Sequence, residues 1–127
     1  MRKIDFEQMV YEAAGHEDSR TPGVWKKVLF RKADLQMGRI QMVNWARLPV
    51  GNTFAAHYHE DMQEIFVLVS GHVRLRIGDA ECTLQRGDAV LIDPREPHQM
   101  WNEGSEDAEY LAIGIVSGDS GRTVLVG

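Results

Sequence analysis

The chain has 127 residues, of which 43% are hydrophobic and 26% charged, so we expect one folded domain over residues 1–127 and exclude a disordered, collagen-like or coiled-coil protein. Nineteen acidic residues against fourteen basic ones give a net charge of −5. This balance argues against general binding to nucleic acid or to an anionic membrane, because both depend on a basic surface.

A short helix is predicted over residues 5–14. Asp5 can cap it, and one apolar stripe runs along it through Phe6, Met9, Val10 and Ala13. A loop follows, and its His16 is expected on the surface. This N-terminal stretch has no apolar run of signal-peptide length, and the single Cys82 cannot form an internal disulfide, so a cytoplasmic location is predicted.

Beyond residue 23 the pattern changes to short strand-like runs separated by turn residues. Their close spacing predicts an all-β fold, an antiparallel barrel or sandwich. The run Val73–Ile77 alternates apolar residues with arginines, which is typical of a strand with one face toward solvent.

The run "IFVLV" at residues 65–69 is apolar on both faces of its predicted strand. Phe66 and Leu68 share a face with Glu64, and the other three residues point the opposite way. Because both faces need cover, one is expected inside the barrel and the other under a second layer or a subunit interface. A homodimer is therefore a hypothesis from the sequence.

The stretch "HYHEDMQE" at residues 57–64 indicates a binding site. His57 and His59 lie two residues apart, so they face the same way on a strand, and a bend after His59 would let Glu64 face inward as well. An unpaired carboxylate inside a barrel is costly, and a divalent cation bound by two imidazoles and the carboxylate would remove that cost. His98 offers a further donor on another strand-like run.

Two motifs in the sequence resemble those of the cupin superfamily. The first is Gly51, five residues, His57-Tyr58-His59, four residues, Glu64, six residues and Gly71; the second is Gly87, ten residues, His98, three residues and Asn102. The resemblance covers about residues 24–116. It departs from the family pattern at Asp93 and Arg95, which stand where a proline and a glycine are usual, so the turn before His98 is expected to be reshaped or strained.

The resemblance implies a jelly roll, also called a double-stranded β-helix, in which His57, His59, Glu64 and His98 bind one divalent metal ion. Fe, Mn, Ni, Cu, Co and Zn all suit such ligands. The three glycines of the motifs would form turns. Phe66, Leu68 and Met100 are predicted to face inward and line the pocket.

For function, the resemblance implies metal-dependent chemistry on a small molecule, and a dioxygenase-like oxidoreductase is favoured. A sugar or keto-acid isomerase or epimerase and a decarboxylase are alternatives, and so is a module that binds a small ligand without turnover. No general acid or base is identified beyond the ligands, since the sequence leaves the orientation of Arg47, Tyr58 and Tyr110 open. A purely structural zinc site is the weakest alternative.

Overall fold

The computed structural model describes residues 2–15, 17–18, 20–35, 37–118 and 121–126, and His16 lies outside them. Two 3-10 turns are present, at Phe6–Gln8 and Lys32–Asp34. The strands in chain order are β1 Glu12–Ala13, β2 Trp25–Arg31, β3 Ile40–Leu48, β4 His57–His59, β5 Met62–Ser70, β6 Val73–Ile77, β7 Ala80–Leu84, β8 Ala89–Ile92, β9 His98–Trp101, β10 Ala108–Val116 and β11 Thr123–Leu125.

The strands form two antiparallel sheets, which confirms the predicted all-β jelly roll. The larger sheet has six strands in the order β1-β2-β3-β10-β5-β8, and the smaller sheet has five in the order β11-β4-β9-β6-β7. β1 and β11 extend these sheets beyond the predicted barrel of residues 24–116. The inward faces of both sheets supply one core, whose members include Leu48, Phe66, Leu68, Leu75 and Met100.

The prediction of a helix over residues 5–14 is wrong beyond its first turn. Asp5 makes no capping hydrogen bond with its side chain, and the helical conformation ends after Gln8. Residues 12–13 instead pair with β2, where Glu12 lies opposite Lys26. Pairing with a free sheet edge satisfies backbone groups that a short isolated helix would leave partly exposed, so the tertiary contact overrides the local pattern.

The N-terminal segment covers part of the outward face of the larger sheet. The Phe6 ring packs edge-on against Trp45 with 5.0 Å between ring centroids. Lys27 Nζ donates a hydrogen bond of 3.0 Å to the Phe6 carbonyl and lies 3.7 Å from the centre of its ring. These contacts cover β2 and β3, and they do not extend to the outward face of residues 65–69 on β5, for which the sequence predicted a second layer or a subunit interface.

The turn positions agree with the motif glycines. Gly51, Gly71 and Gly87 have φ values of 81°, 86° and 89°. Arg95 is the one non-glycine residue with positive φ in the described part of the chain, at 67°, so the departure from the family pattern carries backbone strain. Neither helical turn in the described residues has the length that crossing a membrane requires.

Candidate metal centre

Three strands bring the four candidate ligands together. Alternation along β4 puts His57 and His59 on its inward face. β9 places His98 directly opposite His57. The chain then bends at residues 60–61, a shorter turn than predicted, and β5 begins at Met62. Glu64 lies two residues after Met62 and therefore faces inward as Met62 does. Its carboxylate, on the larger sheet, faces the three imidazoles of the smaller sheet.

The distances within the cluster suit one shared cation. One ligand atom from each of the four residues lies within 4.8 Å of all the others. His59 Nε2 and His98 Nε2 each lie 3.3 Å from Glu64 Oε1. Donors that bind one ion at about 2.1 Å and at right angles lie about 3 Å apart, so the cluster is close to coordination geometry without rearrangement.

The outer nitrogens of two rings are held by backbone carbonyls. His57 Nδ1 donates to Ala55 O at 2.7 Å, and His98 Nδ1 donates to Glu96 O at 3.0 Å. With the proton on Nδ1, a neutral ring directs the lone pair of Nε2 toward the cluster, as metal-binding histidines require. His98 Nε2 is fully buried and makes no hydrogen bond within the described residues. A cation in the cluster would give this atom its partner.

The third ring is oriented by the C-terminal strand. Thr123 on β11 lies opposite His59, and its Oγ1 is 3.1 Å from His59 Nδ1. The hydroxyl either accepts the Nδ1 proton or donates to the ring, depending on the tautomer. In both cases it fixes the plane of His59, a role that sequence inspection missed because Thr123 is remote from both motifs.

Glu64 is held as an anion although it is buried. Only 6% of the residue is exposed. Burial raises the pKa of the Glu64 carboxyl, but the contacts with His59 and His98 outweigh that effect and lower the pKa to about 2. A buried anion of this kind needs a compensating partner, and a cation bound between Glu64 and the three imidazoles would supply it.

A cavity of about 520 Å³ lies beside the cluster. His57, His59, Glu64 and Phe66 line it, whereas His98, at 2% exposure, does not. This volume is within the range of about 300–1,000 Å³ that is usual for small-molecule sites. Leu68 and Met100 face inward as predicted, but they pack into the core at 1% and 0% exposure instead of lining the cavity.

The cavity exists because the inward positions opposite the cluster carry small side chains. Ala112 on β10 and Ala46 on β3 line the cavity, whereas the space above Gly114 is filled by Met62 and Met42. Larger side chains at these positions would fill the barrel, as they do farther along the same strands. Four polar residues on the same walls were not predicted as site residues: Lys26, Gln41, Asn44 and Thr123.

The sequence left the orientation of Arg47, Tyr58 and Tyr110 undecided, and of these three only Tyr110 lines the cavity. Burial, together with the charges of Glu64 and Glu17, raises the pKa of its hydroxyl, so Tyr110 stays protonated at neutral pH and can act as a hydrogen-bond donor. Arg47 forms an ion pair with Asp107 at 3.2 Å on the outward side. Tyr58 alternates with the two inward-facing histidines on β4 and so faces away from the cavity.

A family comparison identifies the class of protein. The Cupin_2 family model, described as Cupin domain, matches residues 44–114, which is more than half of the chain. The chain belongs to this family. All four clustered ligands fall within the matched residues.

Two curated proteins are similar in sequence. An oxalate-binding protein of Thermotoga maritima is 30% identical over 70 residues, which cover 55% of this chain and 58% of that protein. An uncharacterized protein of Methanocaldococcus jannaschii is 26% identical over 78 residues, which cover 61% of this chain and 62% of that protein. The matches thus span about three fifths of each relative's length.

Solved structures share the fold. A protein of Thermotoga maritima described as a predicted oxalate decarboxylase superposes with a TM-score of 0.80 at 23% identity, covering 91% of this chain and 99% of that chain. A sugar phosphate isomerase of the cupin superfamily from Silicibacter pomeroyi superposes with a TM-score of 0.73 at 22% identity, covering 91% and 76%. At these identities the likeness concerns the fold alone.

Proposed function

We propose that His57, His59, Glu64 and His98 bind one divalent transition metal ion, and that the chain is a metal-dependent enzyme acting on a small molecule. The observation that carries this proposal is the buried set of three imidazoles and one carboxylate, with two rings held by backbone carbonyls and with the Nε2 atoms of His59 and His98 both 3.3 Å from Glu64 Oε1. When bound, a six-coordinate ion with these four ligands would keep two positions for water, dioxygen or a chelating substrate.

Dioxygenase-like oxidation is the proposed reaction class, because the cavity offers few groups for acid–base chemistry. Apart from the metal ligands, the titratable side chains among its described lining residues are Lys26 and Tyr110. Tyr110 stays protonated and can donate but not accept a proton. Lys26 lies on β2, three strands away from β5. An isomerase or epimerase needs a base beside the reacting carbon. Neither Lys26 nor Tyr110 suits that role, so we favour oxidation.

Non-catalytic binding of a small carboxylate is the second candidate. It is supported by the 30% identity to an oxalate-binding protein. Oxalate chelates through adjacent oxygens, so the same metal centre could serve both candidates. They differ in whether bound ligand is turned over.

The test begins with elemental analysis of protein purified without a metal-affinity tag. The apo protein is then loaded with Fe(II), and oxygen uptake is measured with a panel of diketones, thiols, catechols and oxalate. Substrate-dependent oxygen uptake supports the enzyme, whereas tight oxalate binding with no uptake and no product supports the binding protein. Stoichiometric zinc in a protein that binds none of these compounds contradicts both.

A homodimer is proposed from the outward face of the larger sheet. Ile65, Val67, Leu111 and Ile113 form adjacent apolar pairs on β5 and β10, and Leu91 on β8 is 53% exposed beside them. A contiguous apolar patch of this kind is typical of a subunit interface. Light scattering after gel filtration measures the mass, and Ile113→Lys should yield a monomer.

The cytoplasmic location and the absence of a nucleic-acid partner stay predictions from the sequence.

A further inference from the structure

The hydroxyl of Tyr110 is a polar group that the fold buries without a partner. Tyr110 is 3% exposed, and its ring packs edge-on against Phe66 with 5.0 Å between ring centroids. No hydrogen bond reaches the hydroxyl from the described residues. Tyr110 lines the cavity, and its oxygen is not fully enclosed, unlike the amide oxygens of Gln41 and Asn44. Because a buried hydroxyl that forms no hydrogen bond costs free energy, the contents of the cavity are its available partner.

Two carboxylates act on Tyr110 through their charge, and both are committed to other groups. Glu17 accepts hydrogen bonds from the Gly23 amide at 2.9 Å and from the Ala55 amide at 3.2 Å. Glu64 belongs to the metal centre. Both charges favour the protonated form of Tyr110. The hydroxyl is therefore a donor, and an oxygen acceptor on a bound ligand suits it.

Lys26 places a positive charge on the same row of the sheet. Ala46 on β3 pairs with Tyr110 on one side and with Lys26 on the other, and all three residues line the cavity. Because the alanine side chain is short, a hydroxyl and an ammonium group border the space above it. None of the ion pairs among the described residues includes Lys26. A neutral donor beside a cation suits a carboxylate.

The separation from the metal centre sets the length of the ligand. The Phe66 ring lies 5.0 Å from the Tyr110 ring and 6.0 Å from the His98 ring, between centroids, so one aromatic ring separates Tyr110 from the cluster. The two carboxylates of oxalate are bonded directly to each other and do not span such a width. In an extended dicarboxylate of four or five carbons they lie about 4 to 5 Å apart, which matches it.

We infer that Tyr110 and Lys26 bind the remote carboxylate of a dicarboxylate ligand of four or five carbons, whose other end is bound at the metal centre. This inference rests on the proposed function, since the metal centre is the first anchor. The charges agree, because a divalent ion beside Glu64 leaves one positive charge at the near end of the ligand and Lys26 adds one at the far end.

Calorimetric titration of Mn(II)-loaded protein without oxygen tests the inference. The probes are 2-oxoglutarate and 2-oxopentanoate, which share a chelating 2-oxo acid and a chain of five carbons and differ in the remote carboxylate. We expect 2-oxoglutarate to bind about 100-fold more tightly. Tyr110→Phe and Lys26→Met should each reduce this advantage about tenfold and leave the affinity for 2-oxopentanoate unchanged. Lys26→Met should also reduce the salt dependence of 2-oxoglutarate binding.

Matched controls separate ligand binding from folding. Tyr58→Phe makes the same change on the outward side of β4, and Lys3→Met removes an exposed lysine outside the cavity. Both should leave the two affinities unchanged. Tyr110→Phe should keep its metal and unfold at the same or a higher urea concentration than the parent protein, because the hydroxyl it removes has no partner. A clear loss of stability in Tyr110→Phe would show a structural role for the hydroxyl and overturn the inference.

The remaining outcomes distinguish the inference from the proposed function. If the metal-loaded protein binds both probes equally, or if Tyr110→Phe and Lys26→Met keep the advantage of 2-oxoglutarate, the remote site is overturned and the metal centre stands. Metal-loaded protein that binds neither probe also overturns the dicarboxylate assignment. If the protein binds no metal, the proposed function fails and the inference fails with it.

Discussion

The smaller sheet carries charged side chains on both faces, and the two groups differ in what they do. On the inward face, His57, His59 and His98 surround the Glu64 carboxylate of the other sheet. On the outward face, Arg74 and Arg76 pair with Glu103 and Glu81 at 2.7 and 2.6 Å, and the Arg74 guanidinium lies 4.1 Å from the centre of the Trp101 ring. The pairs outside are the shorter ones.

Short distance does not make the outer group the more important. Its side chains are exposed to water and salt, which screen their attraction, and water is ready to replace any partner that is lost. The inner group has no such replacement, so the loss of one member leaves the others unpaired in the barrel. We therefore expect the inner group to dominate the proposed metal binding and the pH dependence of stability, and the outer group to contribute little to either.

The largest effect is expected from His59→Ala. It removes one of the four candidate ligands and a hydrogen-bond partner of Glu64, so metal content should fall from stoichiometric to near zero. Plasma mass spectrometry on tag-free protein measures it. His72→Ala is the matched control, since His72 is exposed in the turn after Gly71 and lies outside the cluster. Unchanged metal in His59→Ala would refute the ligand assignment.

The comparison of inner and outer carboxylates can be made through pH. Because the pKa of Glu64 falls from 4.5 to about 2 on folding, its charge stabilises the native state above about pH 4.5 and that contribution is lost as the pH falls toward 2. In metal-free protein, Glu64→Gln should flatten the fall in urea midpoint across this window, a change worth a few kcal/mol.

Glu81→Gln provides the outer counterpart. The hydrogen bond from Arg76 lowers the pKa of Glu81 as well, but this carboxylate is solvent-exposed and its contribution is screened. Its urea midpoints should follow those of the parent protein closely at every pH. Equal flattening in both variants would show that burial does not separate the two groups.

An intermediate effect is expected from Thr123→Val, which keeps the shape of the side chain and removes the hydroxyl beside His59 Nδ1. Losing a group that orients a metal ligand typically costs about 10- to 100-fold in metal affinity. Competition with a chromophoric chelator measures the affinity. Thr83→Val, on the exposed strand β7, is the control and should not change it.

The smallest effect is expected at Arg95, where the backbone and not the charge matters. Its φ of 67° disfavours any side chain, and its amide donates to His59 O at 2.7 Å, which ties the turn to the metal centre. Arg95→Gly should stabilise the protein by about 1 kcal/mol, because glycine adopts this conformation without steric cost. Arg95→Ala, which removes the charge but keeps the Cβ, should give no such gain in thermal unfolding.

Much of this site could be predicted because its signals are local. The alternation of a strand puts His57 and His59 on one face, and the polar residues after them allow the bend that turns Glu64 inward. His98 came from the spacing of the second motif. The apolar faces around residues 65–69 likewise follow from composition over a few neighbouring residues.

The wrong and missing predictions share one physical cause: contacts between strands that are distant in sequence decided each of them. Residues 5–14 have a helical pattern, yet the free edge of β2 captures Glu12 and Ala13 as a strand. Leu68 and Met100 face inward as their parity requires, but which inward residues meet a cavity depends on what lies across the barrel. Gln41 reaches the cavity only because a bulge shifts the register against β10.

The sequence by itself thus determined the fold class and the inward direction of the four candidate ligands, because strand alternation and motif spacing act over a few residues. Only the tertiary structure decided where the barrel is packed and where it is open, and which polar side chains line the cavity. Those features depend on register between strands that are distant in sequence, and no short-range pattern carries that information.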